Sequence, residues 1–356
     1  MSGRHASPTR PTAVEGGRLE GLDLARGLAV LSMLVAHLSP VGGLLDVTEY
    51  LTAPLFAVVI AISMALRLDT GVPAWRVIGD NVLRGLLLLL VGVVLQLLYA
   101  QIDVVLPYLG VLVVVLAPLV VLLRTLPLLT LGLAVGAAVL GPIVTDLGRS
   151  AVDAGTVTGP LRDLLLWTAT GSNYRLVSFL PMALGALAFA LLLPRLDRPV
   201  PAAATSTVLL ATSLLVHLLG RETEAGAAAY SGSTAEVVAA TFLALGVVSA
   251  AFAVVHAVGD HVPRLAPVLA PVLATGRLAF TAYVLQILVL AAISVARDGA
   301  SDNSFLVLLV TAVVVVGGCW ALDRFVGTGP FEVASRFARL PERPSPDAQG
   351  RHATRR

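Results

Sequence analysis

Residues 21–40 read GLDLARGLAVLSMLVAHLSP, a stretch apolar enough to cross a bilayer that still carries Asp23, Arg26 and His37. How this segment is read decides the fold. About 20 mainly apolar residues form a helix as long as the hydrocarbon core is thick. An ionisable side chain inside such a span is costly to desolvate and marks a functional path by default. On a helix turning about 100° per residue, Arg26 and His37 fall within about 20° of one face and about 16 Å apart along the axis. Asp23 joins that stripe, and Val30 and Met33 fill it. A blander reading stays open beside this one: Asp23 is favoured near a helix start and can pair with Arg26 one turn on, and His37 can be an interfacial side chain.

The rest of the chain repeats the pattern. Its 356 residues are 57% hydrophobic and 13% charged, with mean hydropathy +0.90, a balance that excludes an ordinary soluble domain. Apolar windows of bilayer length fall at 21–39, 50–67, 83–100, 104–123, 126–146, 175–193, 203–220, 235–257, 276–296 and 304–325. The expected fold is therefore an all-α polytopic membrane helix bundle of about ten transmembrane helices.

Arginine distribution sets the expected orientation. With the N-terminus inside, the cytoplasmic side collects both tails and Arg67, Arg76, Arg84, Arg124, Arg195, Arg198, Arg264 and Arg277. The outer loops then hold only Arg149, Arg162, Arg175, Arg221 and Arg297. Basic residues concentrate in cytoplasmic loops, so both termini are expected inside. Residues 1–19 form an expected disordered cytoplasmic tail, 20–326 the membrane domain, and 327–356 a cytoplasmic interfacial helix with a second disordered tail. A further interfacial helix is expected within 147–174, and no cleavable signal is expected ahead of the first span. All 24 basic residues are arginine, which suggests a GC-rich bacterial genome.

Composition also narrows the chemistry. The single Cys319 excludes an intrachain disulfide and a thiolate-rich metal site, and no HExxH motif is present, so no metal is expected. A net charge of +2 without a basic stripe gives no basis for nucleic-acid binding. The expected partners are the lipid bilayer and small ligands, with homo-oligomerisation left open.

Several segments resemble a known family. Arg26, ten intervening residues and His37 in LDLARGLAVLSMLVAH resemble the opening motif of the transmembrane acyltransferase superfamily, which includes the acyltransferase-3 and heparan-alpha-glucosaminide N-acetyltransferase membrane proteins. RGLLLLLVGVVLQLL, IDVVLPYLGVLVVVLAPL, NYRLVSFLPMALGALAFA, GRLAFTAYVLQ and GPFEVASRF resemble blocks of its YeiB-like branch, in the same order. Two positions depart from that pattern: Arg175 stands where Pro usually follows Tyr, and Val333 stands where an aromatic commonly follows the GPLE-like block.

The resemblance implies transfer of an acyl group, with acetyl the expectation by analogy with the superfamily, from cytosolic acyl-CoA to a hydroxyl or amine of an envelope glycan or lipid acceptor. His37 is then the expected catalytic residue, as general base, with an acyl-carrier role as the alternative. Arg26, Arg84 and Arg277 stand at expected cytoplasmic helix ends and are candidates for the CoA phosphates, because guanidinium groups bind phosphate oxygens bidentately. Asp23, Tyr108, Tyr283 and Gln286 are supporting candidates, Tyr283 and Gln286 sharing a helix face. Gln96, Tyr99, Asp103 and His217 rank lower, and interhelical hydrogen bonding explains them equally well. His256 and His261 are expected in a solvated inner loop. The competing expectation is a transporter or flippase whose polar stripe lines a solute path.

Overall fold

A computed structural model describes residues 19–40, 43–98, 102–298 and 304–340. The two expected disordered tails, apart from Leu19, and Tyr99 lie outside these residues. The described chain is helical throughout: α1 Glu20–Leu38, α2 Val47–Asp69, α3 Ala74–Gln96, α4 Leu106–Leu123, α5 Pro127–Asp153, α6 Gly159–Leu165 and α7 Leu176–Phe189 form the first half. The second half is α8 Pro199–Arg221, α9 Thr234–Asp260, α10 Ala266–Arg277, α11 Ala279–Ala296, α12 Phe305–Phe325 and α13 Pro330–Phe337.

Ten of these helices, α7 counted with its extension to Asp197, are long and apolar enough to cross a bilayer among the described residues. The chain is an all-α multi-pass membrane bundle. Backbone N–H and C=O groups have no water to bond inside a bilayer, so each spanning segment must satisfy them internally, and the helix does so.

The centre of the bundle is built from α1, α2, α4, α7 and α9, whose Ala29, Val30, Met33, Ile62, Leu112, Leu116, Met182 and Val248 are almost wholly buried. By contrast, α5, α8 and α12 turn large apolar side chains outward, Leu128, Leu219 and Leu306 among them, as helices facing lipid must. Polar contacts join α1 and α2 near one end: Ser32 Oγ donates to the Thr48 carbonyl at 3.1 Å and accepts from Thr52 Oγ1 at 3.0 Å.

Two backbone approaches position the site. A Cβ on Gly85 would stand 2.8 Å from the Gly110 carbonyl oxygen, and one on Gly110 would stand 2.7 Å from Leu89 N, so α3 and α4 touch only because both positions lack side chains. Gly27 of α1 meets the Val272 carbonyl of α10, and Gly276 of α10 meets the Asp23 carbonyl of α1, each too closely for a Cβ. Small residues at helix crossings serve this purpose in membranes, where close van der Waals contact replaces the hydrophobic drive.

The helix ends at the face where α1 begins are tied by ion pairs: Arg67 to Asp80, Arg124 to Asp69, and Arg277 to Asp323. The first explains a difference from the sequence reading, which begins the third span at 83. Helix α3 begins at Ala74 because Asp80, buried inside it, accepts from Arg67 and takes the Leu340 N–H at 2.7 Å. The polar residues that resemble a loop are thus internally satisfied. A second difference lies at 276: the chain breaks at Leu278, so Arg277 ends α10 and does not enter the ninth span. Within 147–174, α5 continues to Asp153 and the short α6 is the separate piece.

Candidate functional site

The face where α1 begins contains a cavity of about 420 Å³. Six arginines line it: Arg26, Arg67, Arg84, Arg277, Arg336 and Arg339, against two carboxylates, Asp23 and Glu332. Both carboxylates already have partners. Asp23 accepts from Arg26 at 2.5 Å. Glu332 Oε1 accepts the N–H groups of Phe280 and Thr281 at 3.0 and 3.1 Å, and its Oε2 accepts from Thr281 Oγ1 at 2.5 Å. Those amides open α11, so α13 supplies the carboxylate that satisfies otherwise orphaned donors at a helix start.

The arginines divide by what already holds them. Arg26 also donates to Ser63 Oγ at 2.7 Å. Arg277 grips Asp323 through Nε at 3.0 Å and through Nη2. The Asp323 carboxylate holds the Arg277 pKa above its ordinary value. Arg84 is different: it faces the cavity, is exposed there, and makes no hydrogen bond or ion pair among the described residues. Arg26, Arg67 and Arg339 lie near enough to repel it. A cation held among cations with its donors unused is arranged for an anion.

A second cavity of about 80 Å³ leads inward and shares Arg26, Ser63, Arg84, Ala279 and Phe280 with the first. The remainder of its lining is Phe56, Val59, Ile60, Leu88, Leu106, Leu109 and Tyr283. A charged mouth therefore narrows into an apolar arm. Tyr283 is fixed there by its hydroxyl, which accepts the Val105 N–H at 2.9 Å and so ties α11 to the non-helical residues ahead of α4.

His37 lies near the opposite end of α1. Its Nδ1 is 3.3 Å from Gln286 Nε2, and Gln286, completely buried, leaves Oε1 without a partner. Neither residue lines the mouth or the arm. Above Arg26 no α1 side chain reaches these cavities; Val30 and Met33 are fully buried, and the arm follows α2, α4 and α11 to Tyr283. Helix α11 connects the two halves of the stripe, since Tyr283 ends the arm and Gln286, three positions on, reaches His37.

Of the residues singled out in the sequence, Asp23, Arg26, Arg84 and Arg277 thus meet at the mouth, Tyr283 closes the arm, and His37 pairs with Gln286. Tyr108 is elsewhere, its ring 5.6 Å from that of Tyr174 in a cluster with Tyr230. Burial and the neighbouring tyrosine push the Tyr174 pKa up. His217 stands against Tyr50 on the far face, with ring centroids 5.2 Å apart. Among the described residues, no three His, Cys, Asp or Glu side chains converge as a metal-ligand set.

Sequence reasoning did not find Ser63, Glu332, Arg336 and Arg339 as site residues. The GPFE block gave the only signal for Glu332, and its partner lies about fifty residues earlier. Arg175 is a second omission: it is 1% exposed, donates through Nε to Ser178 Oγ at 3.2 Å and through Nη2 to the Tyr230 carbonyl. Desolvation, with Arg149 nearby, lowers its pKa. Its φ of −162° is closed to proline, whose ring fixes φ near −65°, so the departure from the family pattern has a backbone consequence.

Residues 175–339 match the model of a family described as protein of unknown function (DUF418), a family of membrane proteins. No curated protein matches the chain. The matched segment is just under half of the chain and runs from the start of α7 through α13. It contains Arg277, Tyr283, Gln286 and Glu332, whereas Asp23, Arg26, His37 and Arg84 lie outside it. The site is therefore assembled across the boundary of the match.

Proposed function

We propose that this protein is an acyltransferase of the bacterial plasma membrane, moving an acyl group from cytosolic acyl-CoA to a hydroxyl or amine of an envelope glycan or lipid acceptor. Acetyl is the proposed acyl group, by analogy with the wider acyltransferase superfamily that the first span resembles. One observation carries the reading: an arginine-lined mouth opens into a narrow apolar arm, with Arg26 and Arg84 at the junction. Acyl-CoA has that outline, a polyphosphorylated head and a thin, weakly charged arm ending in the thioester. The arginine excess at the mouth supports its placement on the cytoplasmic side, where the positive-inside rule puts basic residues.

In this reading Arg84, with Arg26 and Arg277 beside it, binds phosphate oxygens, and the arm passes Phe56 and Leu109 toward Tyr283. For the arm to reach Gln286 and His37, the Tyr283 ring has to give up the hydrogen bond that its hydroxyl accepts from Val105 N–H. With the Gln286 amide oxygen turned to Nδ1–H, Nε2 of His37 is left as the proton acceptor. His37 takes the proton as the acceptor oxygen or nitrogen attacks the thioester carbonyl. The carbon–sulfur bond breaks, and the CoA thiolate leaves to be protonated.

A second reading has its own observation. One face of α2 lines successive cavities: Glu49 and Ala53 toward the far face, then Phe56, Ile60 and Ser63, then Arg67 at the mouth. From Glu49 to Arg67 is about 27 Å at ~1.5 Å per residue, nearly the bilayer core, as a transporter's path would need. The two readings separate on one preparation. Purified protein in lipid nanodiscs should consume labelled acetyl-CoA when an envelope glycan or lipid acceptor is supplied. Uptake of an anionic solute into vesicles with no acyl donor, and no consumption of acetyl-CoA, would favour the transporter.

A further inference from the structure

A groove on the far face of the bundle has no role in the reading above. It encloses about 830 Å³ between the start of α2, the second half of α8, α9 and residues 228–229. Leu214 and Leu218 line it and are exposed along a bilayer-length helix, so the groove opens sideways to lipid. Its polar end holds Asp46, Glu49, Tyr50, His217 and Arg221.

These groups do not satisfy one another. Glu49, His217 and Arg221 make no hydrogen bond or ion pair among the described residues, His217 touching only the edge of the Tyr50 ring. The Tyr50 hydroxyl is buried without a partner among the described residues. Asp46 and Glu49 are close enough to repel each other, which favours a cation between or above them. Arg221, also within electrostatic reach of Tyr50, offers its donors to an anion. Opposite charges, exposed or half-buried, thus face one partly apolar cavity without neutralising each other, so a ligand carrying both signs pairs them there.

We propose that this groove is a second ligand site, taking a membrane amphiphile with a zwitterionic headgroup. Its phosphate meets Arg221 and His217, its ammonium meets Glu49 and Asp46, and its chains lie along Leu214 and Leu218. An anionic headgroup without the ammonium satisfies Arg221 but is repelled by the carboxylates, so charge complementarity selects the zwitterion. Under the transferase reading, this places an amine-bearing lipid on the acceptor side, opposite the arginine mouth. Binding itself does not require that reading.

The test uses the full chain in nanodiscs containing a phosphatidylethanolamine with a photoactivatable acyl chain, chased with unlabelled phosphatidylethanolamine or phosphatidylglycerol. Adducts are expected on α8 around Leu214 and Leu218, chased about ten-fold better by the zwitterion, as one lost charge-assisted contact implies. Arg221→Ala with Glu49→Gln should remove that preference, and Leu214→Trp, which fills the groove and leaves the charges, should remove the adducts. Equal chase by both lipids, or adducts on α8 unchanged in the Leu214→Trp protein, would overturn the proposal. Acetyl-CoA turnover is read separately on the same samples: intact lipid selectivity with no turnover removes the transferase reading and leaves the groove standing.

Discussion

Gln286 Nε2 and His37 Nδ1 stand 3.3 Å apart across the α1–α11 contact, an imidazole and an amide that join helices 249 residues apart in sequence. A buried amide with one end unpartnered is costly unless it holds something in place. Holding the tautomer and direction of His37 is a role that fits this geometry.

His37→Ala is expected to lower acetyl transfer about 10²-fold or more, the usual contribution of a positioned general base, with acetyl-CoA affinity unchanged. Gln286→Leu should lower the maximal rate about ten-fold by the same route, and Gln286→Glu should alter its pH profile. The two rate constants and the Michaelis constant, measured on protein of unchanged melting temperature, check this. A His37→Ala protein with wild-type turnover excludes the base assignment.

Arg84 makes no ion pair or hydrogen bond among the described residues, so its removal should leave the fold intact. Arg84→Ala is expected to weaken acetyl-CoA binding by about 10-fold or more, from a charge-assisted contact of roughly 1.5–3 kcal/mol, with little change in melting temperature. Titration at rising salt should show a shallower dependence than in the wild type. Arg277→Ala, by contrast, should cost stability as well, because it abandons Asp323.

Asp80 ties three elements at the mouth through Arg67 and the Leu340 amide. Asp80→Ala is expected to destabilise the protein by about 2–3 kcal/mol, since a buried charged partner is lost and its donors are left over. Thermal unfolding in detergent checks the magnitude. Limited proteolysis should cut the segment after α13 sooner in the variant.

Gly276→Ala places a methyl group against the Asp23 carbonyl. Parting α1 from α10 to admit it should cost about 1–3 kcal/mol and widen the mouth, weakening acetyl-CoA binding more than Arg84→Ala does. Gly259→Ala, where nothing lies within 4 Å of the added carbon, is the control and should be silent.

Much of the fold was legible because bilayer thickness imposes a length on each helix. The spans read at 21–39, 104–123 and 304–325 differ from α1, α4 and α12 by no more than two residues at either end. The start of α3 was not legible, because Asp80 looks like a loop residue until Arg67 and Leu340 are seen beside it. The mouth was partly legible: Arg26 and Arg277 stand out as charges at apolar boundaries. What distinguishes Arg84 is the absence of a partner among the described residues, and one sequence does not contain that. Glu332 escaped for a related reason, as its three contacts lie on α11. The expected single stripe from Arg26 to His37 along α1 missed how the interior packs. Val30 and Met33 close that face, and the cavity follows α2 and α11.

The measurement closest to the central claim is a cryo-electron microscopy map of the protein in nanodiscs with a non-hydrolysable acetyl-CoA analogue. The account predicts phosphate density beside Arg84 and Arg26, with the pantetheine arm running past Phe56 toward Tyr283. An analogue bound elsewhere, or an arm filled by a lipid chain while the analogue stays in solution at saturating concentration, would contradict it.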